Sequence, residues 1–127
     1  CILAIGKMVG NALEAAEILH NEGIETSVWD VRSCKPLDPK MIHAAAQYNS
    51  VLTFEDGIRD GGIGSAIADA INTESATTSH SPRVHTFGIP TEFIAQAKPN
   101  AILAQLHLDP SGMATSVRNA LKSCTAQ

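Results

Sequence analysis

Aromatic side chains are scarce: three Phe, one Tyr and one Trp, 4% of 127 residues. With so few rings the interior must be aliphatic and rich in alanine, as where helices pack on a sheet. Long apolar runs are also missing. None approaches the ~20 residues that cross a bilayer, which excludes a membrane-spanning helix. Positive charge is in deficit, with nine Lys and Arg against thirteen Asp and Glu, a net charge of −4 at pH 7. No basic stripe is present, which argues against a nucleic-acid partner. Cysteine is sparse and unpaired by pattern. Cys1, Cys34 and Cys124 make an odd number with no Cys-x-x-Cys spacing, and no secretory segment accompanies them. That combination reads as a reduced, cytosolic protein. There is no lead-in either: Cys1 runs straight into Ile2-Leu3-Ala4-Ile5. A natural chain rarely opens mid-strand, so residues 1–127 are expected to be one domain cut from a longer polypeptide. What is present is ordinary globular composition, 44% hydrophobic and 17% charged, enough for one packed domain and not two.

Apolar runs alternate with helical periodicity. Ile2–Ile5 reads as a buried strand ending at Gly6, followed by helical spacing of Ala12, Ala15, Ala16 and Leu19 and a stop at Gly23. Residues 26–31 (TSVWDV) form a second strand. Asp38-Pro39 starts a helix, because Asp caps free N–H groups and Pro at the first position loses no bond. Residues 51–55 (VLTFE) are the third strand. Gly61, Gly62 and Gly64 then open a helix with Ile63, Ala66, Ile67, Ala70 and Ile71 on one face. A polar loop over 74–82 leads to a fourth strand at 84–87, and two helices begin at Lys98-Pro99 and Asp109-Pro110. This alternation predicts an α/β fold of three α/β/α layers around a mostly parallel sheet.

Two stretches invite a functional reading. Gly6-Lys7-Met8-Val9-Gly10 lies between a strand and a helix, where backbone amides can cradle phosphate. It matches neither GxGxxG nor GxxxxGK[ST], which favours a plain turn with an exposed Lys7. Glu55-Asp56-Gly57, then Gly61-Gly62-Ile63-Gly64-Ser65, sits at the carboxyl end of a strand, the edge at which open α/β sheets bind ligands. Paired carboxylates could serve acid–base chemistry if burial set their pKa values apart. Alternatively the glycines allow special angles and close packing, while Asp56 and Asp60 favour the helix N-terminus. The second reading is preferred. His20, His43, His80, His85 and His107 are scattered without ligand spacing, so no metal site is expected. Ser65 lies in no nucleophile elbow. Cys34 has Arg32 and Lys35 beside it but no base placed nearby. No catalytic or cofactor-binding residue is assigned. The candidate site is an interdomain or interface loop: Glu55, Asp56, Gly61, Gly62, Gly64 and Ser65.

Several strings together resemble a known family. Asp30-Val31-Arg32 with Lys35-Pro36-Leu37-Asp38 is similar to the signature of transketolase-type C-terminal domains. So is Thr53-Phe54-Glu55-Asp56 followed by Gly61-Gly62-Ile63-Gly64-Ser65. Gly88-Ile89-Pro90-Thr91-Glu92-Phe93-Ile94, and Leu106-His107-Leu108-Asp109 with Gly112, resemble segments of the 1-deoxy-D-xylulose-5-phosphate synthase branch. The resemblance spans nearly the whole chain. It departs where the family usually has glycine and this chain has Ala97 and His107, and at Ser33, where a large apolar residue is usual.

The resemblance implies a parent enzyme of three domains that depends on thiamine diphosphate and Mg2+, both held by the other two domains. Such an enzyme joins a two-carbon unit from pyruvate to glyceraldehyde 3-phosphate and releases carbon dioxide, for isoprenoid, thiamine and pyridoxal synthesis. The third domain packs on the other two and helps form a homodimer, in the cytoplasm or a plastid stroma. It also implies strand order 2-1-3-4 here, with a further antiparallel strand upstream of Cys1. Other parents are transketolase and the decarboxylase component of 2-oxo acid dehydrogenases. A different class is a stand-alone flavodoxin-like nucleotide-binding module, disfavoured by the absent dinucleotide fingerprint.

Overall fold

The computed structural model describes residues 1–125, with side chains described through Ser123, so the Cys124 side chain lies outside the described residues. Four strands, β1 (Ile2–Ile5), β2 (Val28–Val31), β3 (Ser50–Ile58) and β4 (Arg83–Ile89), form one parallel sheet in the order β2-β1-β3-β4. Five helices accompany them: α1 (Met8–Asn21), α2 (Pro39–Ala45), α3 (Ile63–Ser75), α4 (Pro99–Gln105) and α5 (Pro110–Thr125). The expected order 2-1-3-4 is the one found.

Period-two alternation divides each buried strand between two cores. Ile2, Ala4, Leu52 and Phe54 face α1 and α5, packing on Met8, Ala12, Leu19, Met113 and Val117. Leu3, Val31 and Val51 face the opposite way, onto Met41, Ile42, Ile67 and Ile71 of α2 and α3. Small residues let the helices close on the sheet: Ala12, Ala15, Ala45 and Ala114 are all fully buried. The few rings are used sparingly. Phe54 and Phe87 stack across β3 and β4 at 4.8 Å, with their planes 13° apart. Trp29, on the edge strand β2, is half-buried against the α2–α3 core.

Both Asp-Pro starts work as expected. Asp38 accepts the Lys40 amide at 2.9 Å, and Asp109 accepts the Gly112 amide at 3.0 Å. His107, one of the expected departures from the resembled pattern, takes φ +57° just past α4. The position needs the left-handed conformation that ends a helix.

Some expected boundaries move. α1 begins at Met8, so Gly10 is helical and the Gly6–Gly10 turn shrinks to Gly6 and Lys7. β3 runs three residues beyond Glu55, to Ile58, through an irregularity after Phe54, because β4 pairs Ile89 with Ile58. The polar loop after α3 is hydrogen-bonded: Thr78 bonds to the Ser75 and His80 carbonyls, and His80 Nε2 donates to the Tyr48 carbonyl at 3.0 Å.

Candidate functional site

The carboxyl ends of β1 and β3 meet where the strand order reverses, the ligand-prone crevice of such sheets. Glu55, near the end of β3, points into the α3 side of the sheet and is 4% exposed. Its carboxylate accepts the amides of Ile63 at 3.1 Å and Gly64 at 2.9 Å. These are unpaired donors of the first turn of α3, at the positive end of the helix dipole. Glu55 therefore caps α3 from another element, in the place where a ligand's anionic group would bind.

Two glycines make the cap possible by leaving room. A Cβ on Gly62 would lie 2.1 Å from the Ile58 carbonyl oxygen and 2.5 Å from Glu55 Oε1. A Cβ on Gly64 would lie 2.5 Å from the hydroxyl of buried Thr53, which has no hydrogen-bond partner among the described residues. Gly61 supplies the turn itself, at φ +80°. Ser65 locks it: its Oγ donates to the Arg59 carbonyl at 3.2 Å and accepts the Gly61 amide at 3.2 Å.

Asp56 points elsewhere. It is exposed and pairs with Lys7 at 3.1 Å, spanning the mouth of the crevice between β1 and β3. Glu55 and Asp56 are thus not an acid–base pair. Alternation along an extended strand sends adjacent side chains to opposite sides. Asp56 and Asp60 do not cap α3 either, since Asp60 pairs with Arg59 at 3.0 Å. That hydrogen bond holds Asp60 below the usual carboxylate range and raises Arg59. Of the six candidate residues the structure brings Glu55, Gly61, Gly62, Gly64 and Ser65 into one motif. It joins Asp56 to Lys7, which links the two glycine-containing turns at one edge.

The remaining candidates stay apart. His20 and His43 bond Glu25 and Glu74 on the surface, at 2.8 and 2.7 Å. Cys34 is half-buried beside Leu37. Among the described residues no group of three His, Cys, Asp or Glu side chains could hold a metal ion. Sequence reasoning missed Ile58, an exposed apolar residue at the end of β3. Its position inside the charged string Glu55–Asp60 is the only signal that could have revealed it.

The transketolase C-terminal domain family matches residues 1–113. The chain belongs to that family. Among curated relatives, it is 35% identical over 120 residues to the 1-deoxy-D-xylulose-5-phosphate synthase of Magnetococcus marinus, covering 94% of this chain and 19% of that protein. It is 39% identical over 116 residues to a synthase 2 of the same name from Kitasatospora griseola, covering 91% of this chain and 18% of that protein. The Thermobifida fusca synthase is 38% identical over 113 residues, covering 89% and 17%. A solved structure described as a split gene transketolase, inactive beta4 tetramer, superposes with a TM-score of 0.82 at 33% identity, covering 95% of this chain and 38% of that one. The chain spans less than a fifth of the length of these curated relatives.

Proposed function

We propose that this chain is the C-terminal domain of a thiamine-diphosphate-dependent 1-deoxy-D-xylulose-5-phosphate synthase, and that it supports the enzyme without carrying its chemistry. The parent enzyme condenses pyruvate with glyceraldehyde 3-phosphate and releases carbon dioxide, acting as a cytoplasmic homodimer. Thiamine diphosphate and Mg2+ are held by its other domains. The observation that carries the reading is the closed carboxyl edge of the sheet. Glu55 fills the anion position at α3, and the Lys7–Asp56 pair spans the neighbouring crevice. An edge capped by its own side chains suits a domain that presents a shaped surface to a neighbour. It disfavours a stand-alone nucleotide-binding module, which needs those amides free. The loop of Glu55, Asp56, Gly61, Gly62, Gly64 and Ser65 is the domain's contribution to an interdomain contact. The relatives' names favour the synthase over transketolase as the parent.

The experiment is to assay the full-length polypeptide that carries this chain. With pyruvate and glyceraldehyde 3-phosphate it should form 1-deoxy-D-xylulose 5-phosphate and carbon dioxide in equal amounts, dependent on added thiamine diphosphate. Turnover only with ketose phosphate donors would make the parent a transketolase and overturn the reading.

A further inference from the structure

Between β4 and α5 the chain makes few ties to the body of the domain. From Thr91 to His107 no residue is buried, α4 included. Of the apolar side chains in this stretch only Leu103 and Leu106 pack against the α1–α5 core. Its hydrogen bonds close on themselves. The Ile102 amide donates to the Lys98 carbonyl at 3.1 Å, the Leu106 amide to Ile102 at 3.0 Å, and the Leu108 amide to Leu103 at 2.8 Å. Among the described residues none joins residues 91–107 to another helix or to the sheet. Glu92 feels the charge of Arg59, but both are exposed, where such pairs contribute little.

Both ends, by contrast, are clamped. A Cβ on Gly88 would lie 2.9 Å from the Gly57 carbonyl oxygen and 3.0 Å from Arg59 Cα, and the Arg59 amide donates to the Ile89 carbonyl at 2.9 Å. At the far end Leu108 is fully buried, and Asn11 Nδ2 donates to its carbonyl at 2.9 Å. His107 beside it is held at φ +57°, a region costly for a residue with a side chain. Gly112 of α5 sits against it, since a Cβ there would lie 2.4 Å from His107 Cα. Between the clamps, α4 walls a cavity of about 300 Å³ lined by Asn11, Glu14, Asn100, Leu103, Asp109 and Pro110.

We propose that residues 90–106 are a strap that lifts as a unit, with His107 as its hinge, while the sheet and the Glu55–Ser65 loop stay folded. Lifting frees only Leu103 and Leu106 from the core and leaves the bonds inside α4 intact. It also releases His107 from the left-handed region. Opening the sheet would instead break both cores. Elements with few buried contacts open at the low end of a protein's range of local stabilities. The strap gates the cavity, because α4 is one of its walls. It is a property of this chain alone and holds whichever enzyme carries it, so it stands or falls separately from the proposed function.

The test is native-state amide exchange of the 127-residue chain, followed by NMR in increasing urea below the unfolding transition. The Ile102 and Leu106 amides should exchange more slowly than in an unfolded peptide. They should still exchange at least about a hundredfold faster than the Leu52 amide of β3, with a much weaker urea dependence. One rate and one urea dependence for α4 and β3 would overturn the proposal, as would α4 amides without any protection. Glu55→Ala weakens the body and not the strap. It should speed Leu52 exchange and leave Ile102 and Leu106 within about twofold of wild type, as for independent sites; parallel acceleration of all three would overturn the proposal. His107→Gly lets the hinge keep its backbone angle without cost. It should slow α4 exchange about fivefold, and an unchanged or faster rate would overturn the hinge and the proposal with it.

Discussion

Replacing Glu55 by Ala removes the side chain that closes the edge of the sheet. The carboxylate accepts two amides of the first turn of α3, at 3.1 and 2.9 Å, and the Gly64 end of the site is buried. Loss of an ordinary helix cap costs about 0.5–2 kcal/mol. A buried donor left without an acceptor costs about 1–3 kcal/mol. Water entering the vacated space recovers part of this for the Ile63 amide, which lies nearer the surface. The net expectation is a loss of about 2–4 kcal/mol, a large share of the roughly 5–15 kcal/mol that holds a domain together. Glu55→Gln keeps the shape and one acceptor oxygen but turns an amide donor toward a backbone donor, so it should fall between wild type and Ala. The assay is urea unfolding of the isolated chain followed by circular dichroism, with an unchanged slope confirming that the unfolded state is the same. A Glu55→Ala midpoint within about 0.5 kcal/mol of wild type, the range of ordinary surface substitutions, would refute the capping role.

Further expectations follow from the same motif and from the surface. Gly62→Val should cost more than Gly64→Ala, because a Cβ on Gly62 meets a backbone carbonyl at 2.1 Å whereas one on Gly64 meets a hydroxyl at 2.5 Å. Chemical denaturation should rank Gly64→Ala at about 1–3 kcal/mol, and Gly62→Val in the full-length polypeptide should lower activity or dimerisation, with wild-type kinetics and mass counting against the contact. Thr53→Val should be neutral or stabilising by up to about 1 kcal/mol, since it replaces a buried hydroxyl that has no partner among the described residues with a methyl of similar shape; a clear loss would mean the hydroxyl is bonded. Arg118 holds the Glu22 carboxyl below its usual range through a hydrogen bond. A depressed carboxylate stabilises above its unfolded pKa and loses that contribution as pH falls through its folded pKa. Arg118→Gln should return Glu22 to the ordinary range in an NMR titration, and its stability deficit should vanish in acid; an unmoved Glu22 would refute the pairing.

The features legible in the sequence are those whose partners lie close along the chain. Asp38 and Asp109 cap their own helices within two or three residues, so Asp-Pro announces both starts. Strand alternation, together with the family resemblance, yields the sheet order. Glu55 caps a helix eight and nine residues away, across a turn whose course depends on β4. Its role could not be read from Glu-Asp beside a helix start, and Asp56 looked equally suited. The extension of β3 was hidden for a related reason. Asp56 and Gly57 interrupt the apolar pattern, and the pairing at Ile58 is imposed by the neighbouring strand. The Gly61–Ser65 cluster was visible as a place where backbone comes close, but what comes close is settled only in three dimensions.

Isothermal titration of the isolated chain with thiamine diphosphate in the presence of Mg2+ tests most directly whether this domain supports chemistry done elsewhere. The Glu55 cap and the Lys7–Asp56 pair predict no heat of binding up to millimolar cofactor, while the full-length polypeptide binds it. Micromolar, saturable binding to the isolated chain would contradict the account, because it would require a diphosphate site on a surface that these side chains close.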